Sequence, residues 1–280
     1  MFLGLQAFFK KIFFKGNIMI FDTHAHYDDE AFDLDRESLL EDINKKGVEY
    51  IVNIGSSVDS TRKTLELADR YPFIYGAAGV HPSETKDLSL KDLEWLRKAA
   101  GHKKTVAIGE IGLDYYWPEP DKEIQKKWFK EQLKLAEDVN LPVVIHSRDA
   151  AKDTLDILKT WDSHKTKGVI HCFSYTWEMV KEYLSMDYYF GIGGVLTFKN
   201  AKKLAEAVKY IPIERILLET DCPYLAPEPY RGKRNQSDYI YYVADKLAEL
   251  KDLSREEVLT VTGENAKEFY GIGLEDTRRS

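Results

Sequence analysis

Eight short apolar runs punctuate the chain: 18–24, 50–55, 74–80, 105–110, 142–146, 168–172, 188–193 and 216–221. Each is four to eight residues long and rich in Val, Ile, Tyr and Phe, the pattern of a buried strand. Between them the apolar positions recur at helical spacing. The segment 36–46 stops at Gly47, 89–100 stops at Gly101, 121–139 is dense in Lys, Glu and Leu, and 200–209 runs up to Ile211-Pro212. Two more helical segments, 237–250 and 254–269, follow the last run, the second opening on the capping-box pattern Ser254-Arg255-Glu256-Glu257. A parallel strand needs a crossover helix before its neighbour can form, so eight alternations over about 250 residues predict a single-domain α/β fold, a (β/α)8 TIM barrel over 18–270. A doubly wound open sheet is the runner-up. It lacks a glycine-rich phosphate turn after an early strand, since Gly191-Ile192-Gly193-Gly194 comes late and has the wrong spacing.

The polar interruptions of these runs are not scattered. His24 and His26 end the first run, His81 follows the third, Glu110 ends the fourth, His146 the fifth, His171 lies near the end of the sixth and Asp221 ends the eighth. Five of the seven histidines stand at strand C-terminal ends, which in a barrel converge on the one face that carries chemistry. The i, i+2 spacing of His24 and His26 turns both rings to the same side of a strand. Four imidazoles and two carboxylates, His24, His26, His146, His171, Glu110 and Asp221, exceed what one tetrahedral ion needs and suit two divalent cations sharing a carboxylate. Glu110 is the expected bridge. Asp221 is expected both to bind a cation and to take a proton from the attacking water, which makes Asp221 and Glu110 the candidate catalytic residues. Mixed imidazole and carboxylate ligands suit Zn²⁺, Mn²⁺ or Mg²⁺ with retained waters, and the residues do not choose among them. Glu219, two residues before Asp221, reads as a supporting or packing carboxylate.

Composition changes this picture little. With 44% hydrophobic and 31% charged residues the chain is a globular protein rather than a disordered or membrane-embedded one. The net charge of −7 excludes nucleic-acid binding through an overall positive field, so an anionic substrate has to be held locally. Two cysteines, Cys172 and Cys222, without a CxxC pattern provide no disulfide framework, read as small buried side chains, and fit a cytoplasmic location. Residues 1–17, MFLGLQAFFKKIFFKGN, are too short and too charged to span a bilayer. They form an extension of unclear role, either a short amphipathic helix or residues upstream of a start at Met19, and 271–280 form a C-terminal tail.

The motifs Asp22-Thr23-His24-Ala25-His26, Gly79-Val80-His81-Pro82, Gly109-Glu110-Ile111-Gly112-Leu113-Asp114-Tyr115, Ile145-His146-Ser147-Arg148, His171-Cys172-Phe173 and Glu219-Thr220-Asp221-Cys222-Pro223-Tyr224-Leu225 are specific as a set. Together they resemble the TatD family of metal-dependent deoxyribonucleases, within the wider amidohydrolase-like barrels, from about Ile18 to Phe269. The resemblance implies a TIM barrel holding one to three divalent cations, a third arriving with substrate, on ligands that fall at His24, His26, Glu110, His146, His171 and Asp221. It also implies metal-dependent hydrolysis of DNA, typically as a 3′ to 5′ exonuclease. Related barrels bridge their metals with a carboxylated lysine near strand four, where this chain has Glu110. The family's loop Arg-Gly-Lys-Arg-Asn appears as Arg231-Gly232-Lys233-Arg234-Asn235, but its usual Glu-Pro continuation is replaced by Gln236-Ser237.

Arg231, Lys233 and Arg234 form a compact basic loop beside the expected metals, suited to phosphate oxygens or simply solvated. Arg148 is a phosphate clamp or a helix-capping residue, His81 a substrate contact or a loop residue bonded to backbone, and Asp114 an orienting group. Tyr115, Tyr116, Trp117, Phe173 and Tyr224 either stack unpaired bases or pack the rim. The substrate expected is single-stranded DNA ends, bound by a monomer or weak oligomer. The same ligands would also serve carbonyl chemistry, such as removal of a D-amino acid from tRNA, or hold metals in a non-catalytic binding protein.

Overall fold

A computed structural model describes residues 19–161 and 166–273; the readings of 1–17 and of most of the C-terminal tail fall outside them. The eight strands are β1 (Ile20–Ala25), β2 (Val48–Ile54), β3 (Ile74–Ala78), β4 (Thr105–Asp114), β5 (Val143–Arg148), β6 (Gly168–Ile170), β7 (Tyr189–Ile192) and β8 (Ile216–Leu218). They form one sheet in sequential order, every pair parallel. The sheet curls until β8 meets β1. Ala25 pairs in parallel with Cys222, the Asp221 amide donates to the His24 carbonyl at 2.9 Å, and the His26 amide donates to the Cys222 carbonyl at 2.8 Å. The expected barrel is therefore the fold.

Nine α-helices occur among the described residues: α1 (Arg36–Lys45), α2 (Val58–Arg70), α3 (Leu90–Ala100), α4 (Lys122–Val139), α5 (Ala151–Thr160), α6 (Trp177–Ser185), α7 (Lys202–Tyr210), α8 (Ile240–Lys251) and α9 (Arg255–Tyr270). The capping box expected at Ser254 forms, with Ser254 Oγ accepting from the Glu257 amide and the Glu257 carboxylate accepting from the Ser254 amide. Helix α9 closes the N-terminal end of the barrel. Phe269 and Tyr270 join Phe21, Val52, Ala77, Val144, Val169 and Leu217 in a cluster that fills the lower barrel, so this end is a packed core and not a channel. A second, larger cluster lies between the strands and the surrounding helices.

Strand ends differ from the sequence pattern where the chemistry lies. β6 and β8 stop two to three residues short of the apolar runs, and the backbone turns to positive φ at Cys172 (45°) and Asp221 (57°). A non-glycine residue in that region cannot continue a strand, so His171 and Asp221 sit on the first turns beyond the sheet. β1 and β4 carry irregularities that shift register by one residue, between Asp22 and Ala25 and between Ile108 and Ile111. Their effect is to exchange the inward and outward positions. Phe21 and Ala107 point into the lower barrel, whereas above the shift Ala25, Ile111 and Leu113 pack outward against the helices and His24, His26 and Glu110 face inward.

Candidate metal centre

Glu110 stands at the middle of the C-terminal face, and its two oxygens serve different neighbours. Oε2 lies 3.5 Å from His24 Nε2 and 3.9 Å from His26 Nε2, both from β1. Oε1 lies 2.6 Å from His146 Nδ1, from β5, and 3.4 Å from His171 Nε2, just after β6. On the far side of the β1 pair, Asp221 Oδ1 is 3.3 Å from His26 Nε2 and 3.7 Å from His24 Nε2. All six residues expected as ligands are thus brought together, in two halves joined by one carboxylate.

Three of the four ring nitrogens that face away from Glu110 have an acceptor oxygen beside them. His26 Nδ1 donates to the Ile54 carbonyl at 3.0 Å, which leaves its Nε2 lone pair facing the centre. His146 Nε2 is 3.1 Å from Asp114 Oδ2, and His171 Nδ1 lies 3.1 Å from Glu219 Oε1, outside hydrogen-bonding geometry. Glu219 also accepts from the Cys172 amide at 2.7 Å. This carboxylate has room because β7 offers Gly191, where a Cβ would stand 2.2 Å from Glu219 Oε2. Asp22, which sequence patterning left without a role, is fully buried behind the centre and accepts from the Thr220 amide and hydroxyl at 3.0 and 2.6 Å, pinning the β8 turn to β1. Its only signal in the sequence is a carboxylate inside an apolar run.

The donor set fits cations. His24 and His26 point their Nε2 atoms at each other 3.1 Å apart, within a 71° ring arrangement. A proton shared between the two rings suits that distance, and so does one ion, since two nitrogens each about 2.0–2.1 Å from an ion stand at about that separation. Ligand-capable atoms of His24, His26 and Asp221, and of Glu110, His146 and His171, form groups within 4.8 Å.

The electrostatics agree. Burial pushes the Glu110 and Asp221 carboxyls up, but His171 and His146 around Glu110, and the His26 hydrogen bond to Asp221, outweigh it and hold both below the usual carboxylate range. Burial depresses His26 and His171, yet Asp221 raises the first to about 9, and Glu219 with Glu110 raises the second to about 10. Without cations, protons neutralise this anionic centre. His24, most affected by burial and by His171 stacked on it at 3.6 Å, is lowered instead, and its buried Nδ1 has no hydrogen-bond partner among the described residues. Burial together with His146 pushes His81 down to about 3. The Ser83 amide donates to its Nδ1 at 3.2 Å, so the proton of this neutral ring sits on Nε2.

The expected substrate contacts divide. His81 and Asp114 touch His146, the first with ring centroids 4.3 Å apart. Arg148, Arg231 and Lys233 form no ion pair among the described residues; each lies over an aromatic ring, Tyr116, Phe198 and Tyr230 respectively. Arg234 is committed to Asp35 through two hydrogen bonds of 2.7 and 2.6 Å and to the Ala31 carbonyl. Among the aromatics, Phe173 is 2% exposed and packs in the core, and Tyr115 is half-buried with its hydroxyl on Asp153, while Tyr116, Trp117 and Tyr224 stand open to solvent.

Residues 21–271 match the family described as TatD related DNase. The chain is 46% identical over 254 residues to the uncharacterized metal-dependent hydrolase YabD of Bacillus subtilis, covering 91% of this chain and all of that one. It is 34% identical to the uncharacterized metal-dependent hydrolase YcfH of Escherichia coli K12, covering 91% and 97%. The crystal structure of YJJV, a TatD homolog from Escherichia coli K12, superposes with a TM-score of 0.85 at 31% identity over 90% of this chain and 98% of that chain. A barrel whose C-terminal face gathers four imidazoles around a shared carboxylate, matched end to end by these relatives, belongs to the TatD family of metal-dependent hydrolases.

Proposed function

We propose that the chain hydrolyses phosphodiester bonds of DNA, acting as a 3′ to 5′ exonuclease on single-stranded ends with two divalent cations, Mg²⁺ or Mn²⁺. The observation that carries the reading is that Arg148 at the end of β5, and Arg231 and Lys233 on the loop after β8, form no ion pair among the described residues, in a chain of net charge −7. Cations left unpaired in an acidic protein are available for phosphate oxygens. Arg234, paired with Asp35, braces the loop that carries Arg231 and Lys233.

His24, His26 and Asp221 would hold one cation, His146 and His171 the other, and Glu110 both. Bound there, the cations supply Lewis acidity toward a phosphate oxygen and lower the pKa of water. Asp221 takes the proton of the attacking water, because its side chain is 17% exposed against 4% for Glu110 and its depressed pKa keeps it ionised. As water adds to phosphorus, the bond to the leaving sugar oxygen breaks, that oxygen takes a proton from solvent, and Asp221 gives its proton back to solvent. His81, with its proton on Nε2 and its ring against His146, would donate a hydrogen bond to the phosphate. Asp114 and Glu219 orient His146 and His171.

The test is hydrolysis of 3′-labelled and 5′-labelled single-stranded oligonucleotides with Mg²⁺, Mn²⁺, Zn²⁺ or chelator, wild type beside Asp221→Asn. Stepwise shortening from the 3′ end, lost with chelator and in the variant, is expected. A folded, metal-loaded protein that leaves DNA intact and cleaves an aminoacyl ester of RNA overturns the reading.

A further inference from the structure

We infer that Trp117, with Tyr116 and Arg148, forms a nucleobase-stacking platform that selects unpaired ends; the inference rests on the DNA reading above. Tyr116 and Trp117 follow β4 on the rim and are 53% and 55% exposed, although large apolar side chains are seldom left in water as adjacent pairs. Their rings meet edge to face, 89° apart with centroids 4.8 Å apart, which leaves a face of the indole open. Arg148, the last residue of β5, lays its guanidinium over Tyr116 at 3.8 Å. A guanidinium seated on an aromatic ring, with no ion pair among the described residues, keeps N–H donors for a phosphate.

The platform is rigidly joined to the metal centre. The Tyr116 amide donates to Asp114 Oδ1 at 3.0 Å, and the other oxygen of the same carboxylate lies 3.1 Å from His146 Nε2. The Tyr115 amide donates to the Arg148 carbonyl at 2.9 Å, locking the ends of β4 and β5 together. Trp117 is three residues from Asp114, at most about 11 Å along the chain, so a base on the platform belongs to one of the last few nucleotides at the scissile end. An unpaired base offers its π-face to such a surface, whereas a base inside a duplex has both faces stacked. Neither metal chemistry nor phosphate charge requires an indole at this place.

The experiment compares metal-loaded wild type, Trp117→Ala and Trp117→Phe on two single-stranded oligonucleotides, one with ordinary 3′-terminal bases and one whose last two residues are abasic. Wild type is expected to prefer the base-bearing strand, and Trp117→Ala to reduce that preference about 10-fold to 100-fold, with Trp117→Phe retaining most of it. Quenching of a 3′-terminal 2-aminopurine on binding, present in wild type and lost in Trp117→Ala, reads stacking without turnover. Equal loss on both strands, or quenching unchanged in Trp117→Ala or absent in wild type, overturns the platform. DNA that binds with quenching but is never cleaved overturns the exonuclease reading and leaves the stacking site standing.

Discussion

At the N-terminal end of the barrel, Lys104 Nζ donates to the carbonyls of Ala68, Tyr71, Pro72 and Ile74 at 2.7–3.0 Å, Asn265 Nδ2 to those of Ile213 and Ile216, and Lys251 Nζ to those of Lys209 and Ile211. At the C-terminal end, imidazole nitrogens face one another across 3.1 Å, and His24 Nδ1 is buried without a partner among the described residues. One end completes the hydrogen bonds of helix and strand termini with side-chain donors; the other concentrates polar groups that only protons or cations can balance. Stability is invested in the first and chemistry in the second, a division that the barrel permits because its two ends share little beyond the strands between them.

That contrast can be broken or sharpened experimentally. Glu110→Gln should have the largest effect, a loss of activity on the order of 10³-fold with fewer bound metals per chain by elemental analysis, since the amide cannot serve both halves of the centre. Bound metal unchanged in that variant would falsify the bridging role. Glu219→Gln, which alters the carboxylate beside His171 Nδ1 and the Cys172 amide, should cost about 10-fold to 100-fold in activity or metal affinity. Divalent cation at about 100 times its Kd should stabilise the protein by about 2.7 kcal/mol, seen as a rise in Tm that chelator reverses.

At the opposite end, Lys104→Met should lower stability by about 2 kcal/mol in denaturant titration while leaving kcat/KM within about twofold; a matching loss of activity would mean that the ends are coupled. The smallest effect is on pH dependence. His26 and His171, raised to about 9 and about 10 in the metal-free protein, hold protons that the unfolded chain has released, so stability in chelator should fall as pH climbs from about 7 through 10. Lys251, lowered by burial to about 8, acts in the opposite sense, because between pH 8 and about 10.4 the unfolded chain binds the extra proton. Lys251→Met should therefore steepen the fall, as thermal melts across that range would show; an unchanged slope would remove Lys251 from the balance.

Much of this was legible in residue order. Alternating apolar runs and helical segments were enough for the barrel, because each parallel strand demands its crossover, and polar residues at the ends of those runs marked the chemical face. The helices Val58–Arg70, Ala151–Thr160 and Trp177–Ser185 were implied only by that demand. Arg234 was read with its neighbours as one basic patch, since its partner Asp35 lies 199 residues away in sequence. Phe173 was indistinguishable from the rim aromatics until packing buried it against Tyr183 and Phe190.

The chain's sequence by itself determined the number of strands, their parallel order and the set of groups at their C-terminal ends, because hydrophobic period and residue chemistry are local properties. Only the tertiary structure decided which way those groups face. Strict alternation from Phe21 and Ala107 would point Thr23, Ala25, Gly109 and Ile111 into the barrel; one-residue register shifts in β1 and β4 instead bring in His24, His26 and Glu110. A bulge is set by how a strand pairs with neighbours distant in sequence, and no periodicity read along one strand contains that information.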